Sequence, residues 1–223
     1  MSNVYCIFDL DGTLLDTAPD LVASLNHVRG HEGLEDVDPG EYRQFASHGA
    51  LGLIKAGLPE GDEALTEARK TRFLQHYECN LYVETQPFSG VTDLLGFLDS
   101  RAIPWGIVTN KPEYLTLPIL KEAQLAGRAA CVICGDTLKY SKPHPAPVQL
   151  GCQLLGCSAD QTLMVGDDVR DLEAGHSAGT LTAMAAYGYL APEGPDPNPG
   201  PGWIVQRPLD VIEIINQTNS TSI

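Results

Sequence analysis

Short apolar runs recur along the chain, separated by stretches whose apolar positions return at helical spacing. Val4–Phe8, Pro104–Thr109, Cys131–Cys134, Thr162–Val165 and Thr180–Ala185 are short and largely apolar, the pattern of strands buried on both faces. Gly90–Ser100, Lys111–Glu122, Pro145–Leu155 and Val169–Ala178 carry the helical pattern, several of them opening near Pro, Asp or Ser. Such alternation predicts an α/β fold in which a doubly wound, Rossmann-like parallel sheet has helices on each side.

The interval from about Ala18 to Glu84 breaks this rhythm. Leu21–Arg29, Gly49–Ala56 and Asp62–Cys79 are helical in pattern, with no strand between them. The expected organisation is a core made of residues 1–17 and 85–223 and an inserted helical domain of residues 18–84. Pro192–Gly202, rich in Pro and Gly, predicts a surface loop, and Leu209–Asn216 a closing helix. There is no internal repeat.

A chain of 223 residues with 43% apolar residues can build a packed core. Its formal charge of -15 excludes an extended nucleic-acid groove or an anionic membrane surface as partner, since both need clustered Lys and Arg. An anionic substrate then needs local help from a cation. The N-terminus passes from Met1-Ser2-Asn3 straight into the first apolar run, too short for a signal sequence, and no run approaches a membrane span. The expectation is a cytoplasmic protein with no implied protein partner. Its six cysteines are scattered; the close pair Cys131 and Cys134 lies in a predicted strand, where an offset of three turns them to opposite faces, as buried thiols.

Asp9-Leu10-Asp11-Gly12-Thr13 follows the first apolar run. At an offset of two the carboxylates leave the same side while Leu10 turns inward, which places two acids at the carboxyl edge of a sheet, where open α/β folds bind ligands. Alone, these residues fit equally well a strand followed by an Asx-type turn. The other strand ends add polar groups suited to a phosphate: Thr109-Asn110, Lys142 in Ser141-Lys142-Pro143, and Gly166-Asp167-Asp168-Val169-Arg170-Asp171.

In these four clusters the sequence resembles the haloacid dehalogenase superfamily, whose motifs match Asp9 to Thr13, Thr109-Asn110, Lys142, and Asp167 to Asp171. The resemblance spans the core, and the insertion sits where the family carries a helical cap. Asp16-Thr17-Ala18-Pro19-Asp20, Val108 to Pro112 and Tyr187-Gly188-Tyr189 are similar to the phosphoglycolate phosphatase branch, which includes bacterial N-acetylmuramic acid 6-phosphate phosphatases. The implied activity is hydrolysis of a small phosphorylated metabolite.

Two carboxylates about 4 Å apart repel by roughly 4 kcal/mol at an effective dielectric near 20, and a phosphate dianion adds to this. Hard oxygen ligands suit Mg²⁺. The resemblance implies as its ligands the carboxylates of Asp9 and Asp167 and the main-chain carbonyl of Asp11. Asp9 would be the nucleophile, forming an aspartyl phosphate, and Asp11 the acid and then the base, with a carboxyl tuned upward by its surroundings. Thr109 and Asn110 would donate to the phosphoryl group, and Lys142 would neutralise charge shared with Asp9. Asp171 would orient Asp167 or the waters of the metal; for Asp168 that role competes with capping the following helix. Arg170 reads as a solvated helix charge, with a supporting salt bridge as the alternative the resemblance leaves open, and His144 receives no chemistry.

Tyr42 to Ala50 resembles the cap segment that faces the active site in this branch, with Gly49 permitting close backbone approach. Arg43, Ser47 and His48 are the candidate contacts to the leaving group; alternatively Arg43 is exposed and His48 merely begins a helix. Among rivals, a dehalogenase has no use for Asp11 and Asp167. A sugar phosphomutase would share all four motifs. A receiver-like phosphoacceptor regulator would also use clustered acids, magnesium and a lysine, but lacks the Asp9-x-Asp11-x-Thr13 spacing and the cap.

Overall fold

The computed structural model of the chain describes residues 4–189, 200 and 202–221. Its first half runs through β1 (Tyr5–Phe8), β2 (Leu15–Asp16), α1 (Ala18–His31), α2 (Pro39–Tyr42), α3 (Gly49–Gly57), α4 (Glu63–Cys79) and β3 (Gln86–Pro87). The second half is α5 (Val91–Ser100), β4 (Trp105–Val108), α6 (Glu113–Glu122), β5 (Cys131–Ile133), α7 (Ala146–Leu155), β6 (Thr162–Gly166), α8 (Val169–Ala178), β7 (Leu181–Ala185), β8 (Trp203–Val205) and α9 (Asp210–Thr221).

Six strands form one sheet in the order β5-β4-β1-β6-β7-β8, every neighbouring pair parallel. Alternation along β1 explains its two layers. Cys6 and Phe8 join Ile107, Val165 and the apolar sides of α5, α6 and α9, whereas Ile7 joins Val108, Met164 and the residues of α7 and α8. From β1 the strands step outward through β4 to β5; α7 then returns the chain to β6, on the other side of β1. The direction of winding therefore reverses between β1 and β6, and a crevice opens beyond their carboxyl ends.

The five predicted strands and the helices after them are present, and α8 begins and ends at its predicted residues. β8 was not predicted. It is a three-residue edge strand with Ile204 63% exposed, so it carries no buried run. The predicted loop Pro192–Gly202 lies outside the described residues except at positions 200 and 202. Cys131 and Cys134 are buried free thiols, and burial pushes Cys131 up to about 11. No helix among the described residues is long and apolar enough to cross a membrane.

Between β2 and β3 the chain forms helices and connecting loops, with no strand. Leu21, Leu25 and Val28 of α1 pack with Leu53 and Ile54 of α3 and with Phe73 and Tyr77 of α4. The two passages joining this unit to the core pair as an antiparallel ribbon, Leu15 with Pro87 and Asp16 with Gln86, too short to show alternation in sequence. Asp20, 4% exposed, fastens that stem. Its carboxylate accepts from the main-chain N–H groups of Val83, Glu84 and Thr85 at 3.0, 2.8 and 3.1 Å and from Thr85 Oγ1 at 2.6 Å.

Asp20→Ala removes the acceptor for four donors in or near the interior, so it should lower folding stability by about 2–4 kcal/mol. Urea unfolding checks this, and an unchanged midpoint would show that the stem is held by packing alone.

Candidate active site

The site begins where β1 ends. The Asp9 N–H donates to Val165 O at 2.9 Å, extending the β1–β6 ladder by one residue and fixing the backbone that carries the first acid. The chain then turns sharply: Gly12 N–H returns to Leu15 O at 2.9 Å, and Gly12 stands at φ +83. Leu10 is fully buried, while Asp9 and Asp11 both face a cavity of about 260 Å³ between the strand ends and the inserted helices. Thr109, Asn110, Lys142, Asp168, Arg170 and Asp171 reach it from the other strand ends, and Ser47 and His48 from the insertion.

Lys142 is the charge centre of the floor. Its ammonium lies 2.8 Å from Asp9 Oδ1 and 2.6 Å from Asp171 Oδ1, and donates to Val108 O at 2.7 Å. Burial opposes its charge, but Asp171 and Asp9 outweigh that and hold it above the ordinary lysine value. Asp9, Asp167 and Asp171 each bring a carboxylate oxygen within 4.8 Å of the others. Burial, opposed by Lys142 and reinforced by Asp171, pushes Asp9 up to about 7. Burial followed by Asp9 and Asp171 raises Asp167 well above the usual carboxylate range.

Asp167 is held from all sides. Thr13 Oγ1 donates to its Oδ1 at 3.0 Å, and Tyr189 N–H and Ser47 Oγ donate to its Oδ2 at 3.1 and 3.4 Å. Gly12 and Gly188 close on the same carboxylate, and a Cβ at either would collide with it. That is the physical reason for Gly188 between Tyr187, whose hydroxyl donates to Thr13 O at 3.0 Å, and Tyr189.

Three buried carboxylates around one ammonium leave negative charge uncompensated. Asp9 Oδ1, although close to Lys142, lacks a hydrogen bond of good geometry. Asp171 is committed, one oxygen to Lys142 and the other to the Asp168 N–H at 3.1 Å. Asp9, with an unbonded Oδ1, and Asp167, whose three partners are all uncharged donors, are the hard oxygen donors without a full cationic partner, a set that fits Mg²⁺. Asp168 caps α8, accepting from Arg170 N–H at 2.9 Å. Its N–H, bonded to Asp171, also aims that carboxylate at Lys142.

Several placements differ from the sequence expectations. The side-chain amide of Asn110 is bonded at both ends to the Lys142 backbone, at 2.8 and 2.9 Å, so it positions the lysine. Any bond it gives an anion must come from its second Nδ2 hydrogen or its main-chain N–H. Thr109, 3% exposed, accepts from Lys111 N–H at 3.1 Å, which leaves its hydroxyl hydrogen for an anion. Of the two readings of Arg170, the structure has the supporting salt bridge. Arg170 pairs with Asp168 at 2.8 Å and donates to Ser47 O at 2.6 Å, joining core to insertion.

Arg43 does not line the cavity. It pairs with Asp16 at 2.7 Å and lies over the rings of Phe88 and Tyr189, because the stem offers it an acid between two aromatic faces. Gly49 has no close neighbour on its Cβ side. What needs a glycine there is the backbone, at φ +61 and ψ -157. His144 is exposed and stacked on Tyr140, away from the cavity.

Lys111 and Tyr189 were not recognised as site residues, although both lay in stretches carrying the family resemblance. Lys111, 8% exposed, donates to Asp11 Oδ1 at 3.0 Å and to Tyr77 Oη at 3.0 Å. A lysine directly after the Thr-Asn pair of a strongly acidic chain was the available signal. Tyr189 Oη accepts from the N–H groups of Thr17 and Ala18 at 2.6 and 2.9 Å, tying the start of α1 to the loop that holds Asp167.

The raised carboxyls set a pH dependence. An Asp at 3.8 when unfolded and about 7 when folded gives stability that is present at low pH and lost as pH rises through 7. A divalent cation competes with those protons, so the thermal stabilisation by Mg²⁺ should be larger at pH 8 than at pH 5.5. Melting curves with and without Mg²⁺ at both pH values measure it; an equal shift would place the ion elsewhere.

The profile of haloacid dehalogenase-like hydrolases matches residues 6–185. An N-acetylmuramic acid 6-phosphate phosphatase of Pseudomonas putida is 39% identical over 94% of this chain and 95% of its own. A phosphoglycolate phosphatase of Xanthomonas campestris is 40% identical over 82% and 83%. Among solved structures, that of a predicted phosphoglycolate phosphatase from Haemophilus somnus superimposes with a TM-score of 0.82 at 29% identity, covering 96% of this chain and 98% of that one. The acids at the ends of β1 and β6, with the lysine between them, thus belong to a haloacid dehalogenase-like hydrolase, and the chain is a phosphatase of that family.

Proposed function

We propose that this phosphatase hydrolyses a small phosphomonoester through a phosphoaspartate on Asp9, with Mg²⁺ as cofactor. One observation carries the reading: Asp9, at the carboxyl end of β1, faces the cavity with its Oδ1 2.8 Å from the Lys142 ammonium. Asp11 lies beside it, and the next strand end supplies Asp167. The core of residues 1–17 and 85–223 handles the phosphoryl group, and the helical cap of residues 18–84 encloses the remainder of the substrate.

A carboxylate oxygen of Asp9 attacks phosphorus as the bond to the leaving oxygen breaks, and Asp11, carrying the proton it took from water in the previous turnover, gives that proton to the leaving oxygen. Water then attacks the phosphoaspartate, Asp11 takes the proton, and the bond from phosphorus to Asp9 breaks to release phosphate. Lys142 compensates negative charge on Asp9 and the equatorial oxygens, while the Thr109 hydroxyl donates to the phosphoryl group. Asp9 and Asp167, with the Asp11 carbonyl, would hold the ion, which supplies positive charge for the phosphoryl oxygens when bound. Asp171 and Asn110 keep Lys142 in place.

For the leaving group we favour N-acetylmuramic acid over glycolate. The relative named for the amino sugar matches 94% of this chain, against 82% for the phosphoglycolate phosphatase. The cavity, walled by Leu21, Phe73, Leu74 and Leu115, suits a sugar-sized group with apolar edges. A two-carbon glycolate would leave most of it to water.

Asp9→Asn should abolish phosphate release, with a loss of at least about 10³-fold, while the folded structure persists, since almost no volume changes. Phosphate release and a thermal melt on the same preparation decide; wild-type turnover by the variant would refute the mechanism. An isomerised sugar phosphate in place of free phosphate would identify a mutase, and a stable phosphoprotein without turnover a regulator.

Excess chelator should silence the enzyme and Mg²⁺ restore it. Ca²⁺ should restore little, because its larger and looser coordination sphere misplaces Asp9 relative to phosphorus. Full turnover in chelator would remove the ion from the reaction.

A further inference from the structure

The cavity contains two lysines in different circumstances. Lys142 is fully engaged, by Asp9, Asp171 and Val108 O. The third cation, Arg170, is held by Asp168 and by Ser47 O. Lys111 spends two contacts on a single carboxylate, at 3.0 and 3.2 Å from the two oxygens of Asp11, and gives its third to Tyr77 Oη at 3.0 Å. It is the cavity cation that can turn a donor towards a second anion without abandoning its partner.

Tyr77 adds an independent observation. It comes from α4 in the cap, is 1% exposed, and lines the cavity. Its hydroxyl accepts from Lys111 and, among the described residues, donates to nothing. Burial pushes that hydroxyl up to about 12, so its proton stays in place. A buried O–H without an acceptor is unfavourable unless a ligand supplies one. Leu21, Phe73, Leu74 and Leu115 lie around the same cavity.

We propose that Lys111 and Tyr77 form a carboxylate subsite, which selects phosphomonoesters whose leaving group carries a carboxyl group and apolar edges. An incoming carboxylate accepts one hydrogen from the Lys111 ammonium and one from Tyr77 Oη. Lys111 retains one bond to Asp11, and the partner set of Asp11 loosens as substrate binds. Selection thus comes from a charge-assisted pair of donors, one from the core and one from the cap. This rests on the hydrolase reading above.

The test uses two esters with the same phosphate, N-acetylmuramic acid 6-phosphate and N-acetylglucosamine 6-phosphate, which lacks the carboxylate-bearing lactyl ether. The readout is the ratio of their kcat/KM values. Wild-type enzyme should prefer the carboxylate-bearing ester, and Tyr77→Phe, which keeps the ring and loses the donor, should reduce that ratio about 10- to 100-fold, the range for a hydrogen bond to a charged group. Lys111→Gln should reduce it at least as far; should that variant fold poorly, Tyr77→Phe decides alone. A wild-type ratio near one, or a ratio unchanged in Tyr77→Phe whatever the absolute loss, overturns the subsite and leaves these residues as supports for Asp11. Absence of phosphate release from both esters by wild-type enzyme, with a generic phosphomonoester still hydrolysed, would overturn the amino-sugar reading and the subsite with it; absence of release from all three would overturn the mechanism on Asp9.

Discussion

Three carboxylates gathered at one edge of the sheet form the constraint that the surrounding structure serves. Asp9, Asp167 and Asp171 are brought together because β1 and β6 are hydrogen-bonded neighbours, each is followed directly by an acid, and Asp171 lies in the first turn of α8 after β6. In water such groups would separate; here strand register and the capped start of α8 forbid it. Lys142 supplies one positive charge, held to the site by the two bonds between its backbone and Asn110. The remaining negative charge favours a cation, and a phosphate approaching a protein whose overall charge is -15 needs such local positive charge.

The packing around the acids follows from the same demand. Asp167 is 2% exposed and has three donors. Room for it exists only because Gly12 and Gly188 have no side chains, and Gly12 also supplies the positive φ that turns the chain after Asp11. Tyr189 uses both ends of its residue. Its N–H fixes Asp167, and its hydroxyl fixes the N–H groups of Thr17 and Ala18, where the cap begins. One residue therefore couples the placement of an acid to the placement of the cap.

What could be read from the sequence was local. The apolar runs of the central strands gave the sheet, because a strand buried on both faces leaves little freedom in residue type. The acids of the first and last motifs stood at strand ends where chemistry is expected. The partners that make the site work are distant in sequence: Lys111 lies 100 residues from Asp11, Ser47 120 from Asp167, and Tyr189 172 from Thr17. No periodicity records such pairs. Arg43 shows the opposite error. It sat in a segment expected to face the active site, but on a short 3-10 turn its side chain reaches back to Asp16 and the rings of Phe88 and Tyr189. β8 and the β2–β3 stem were missed because two or three residues cannot display an alternation.

Asp11 is where core and cap meet in the chemistry. Its Oδ1 accepts from Thr17 Oγ1 at 2.5 Å, at the root of the cap, and from Lys111, whose other side-chain partner is Tyr77 of the cap. Both sets of contacts depend on the cap being seated, since a displacement of α4 removes Tyr77 from Lys111 and a rotation at the stem moves Thr17 from Asp11. Asp11, the acid of the proposed reaction, is thus oriented in part by the inserted helices. The seating of α4 against the core and the orientation of Asp11 therefore form one arrangement.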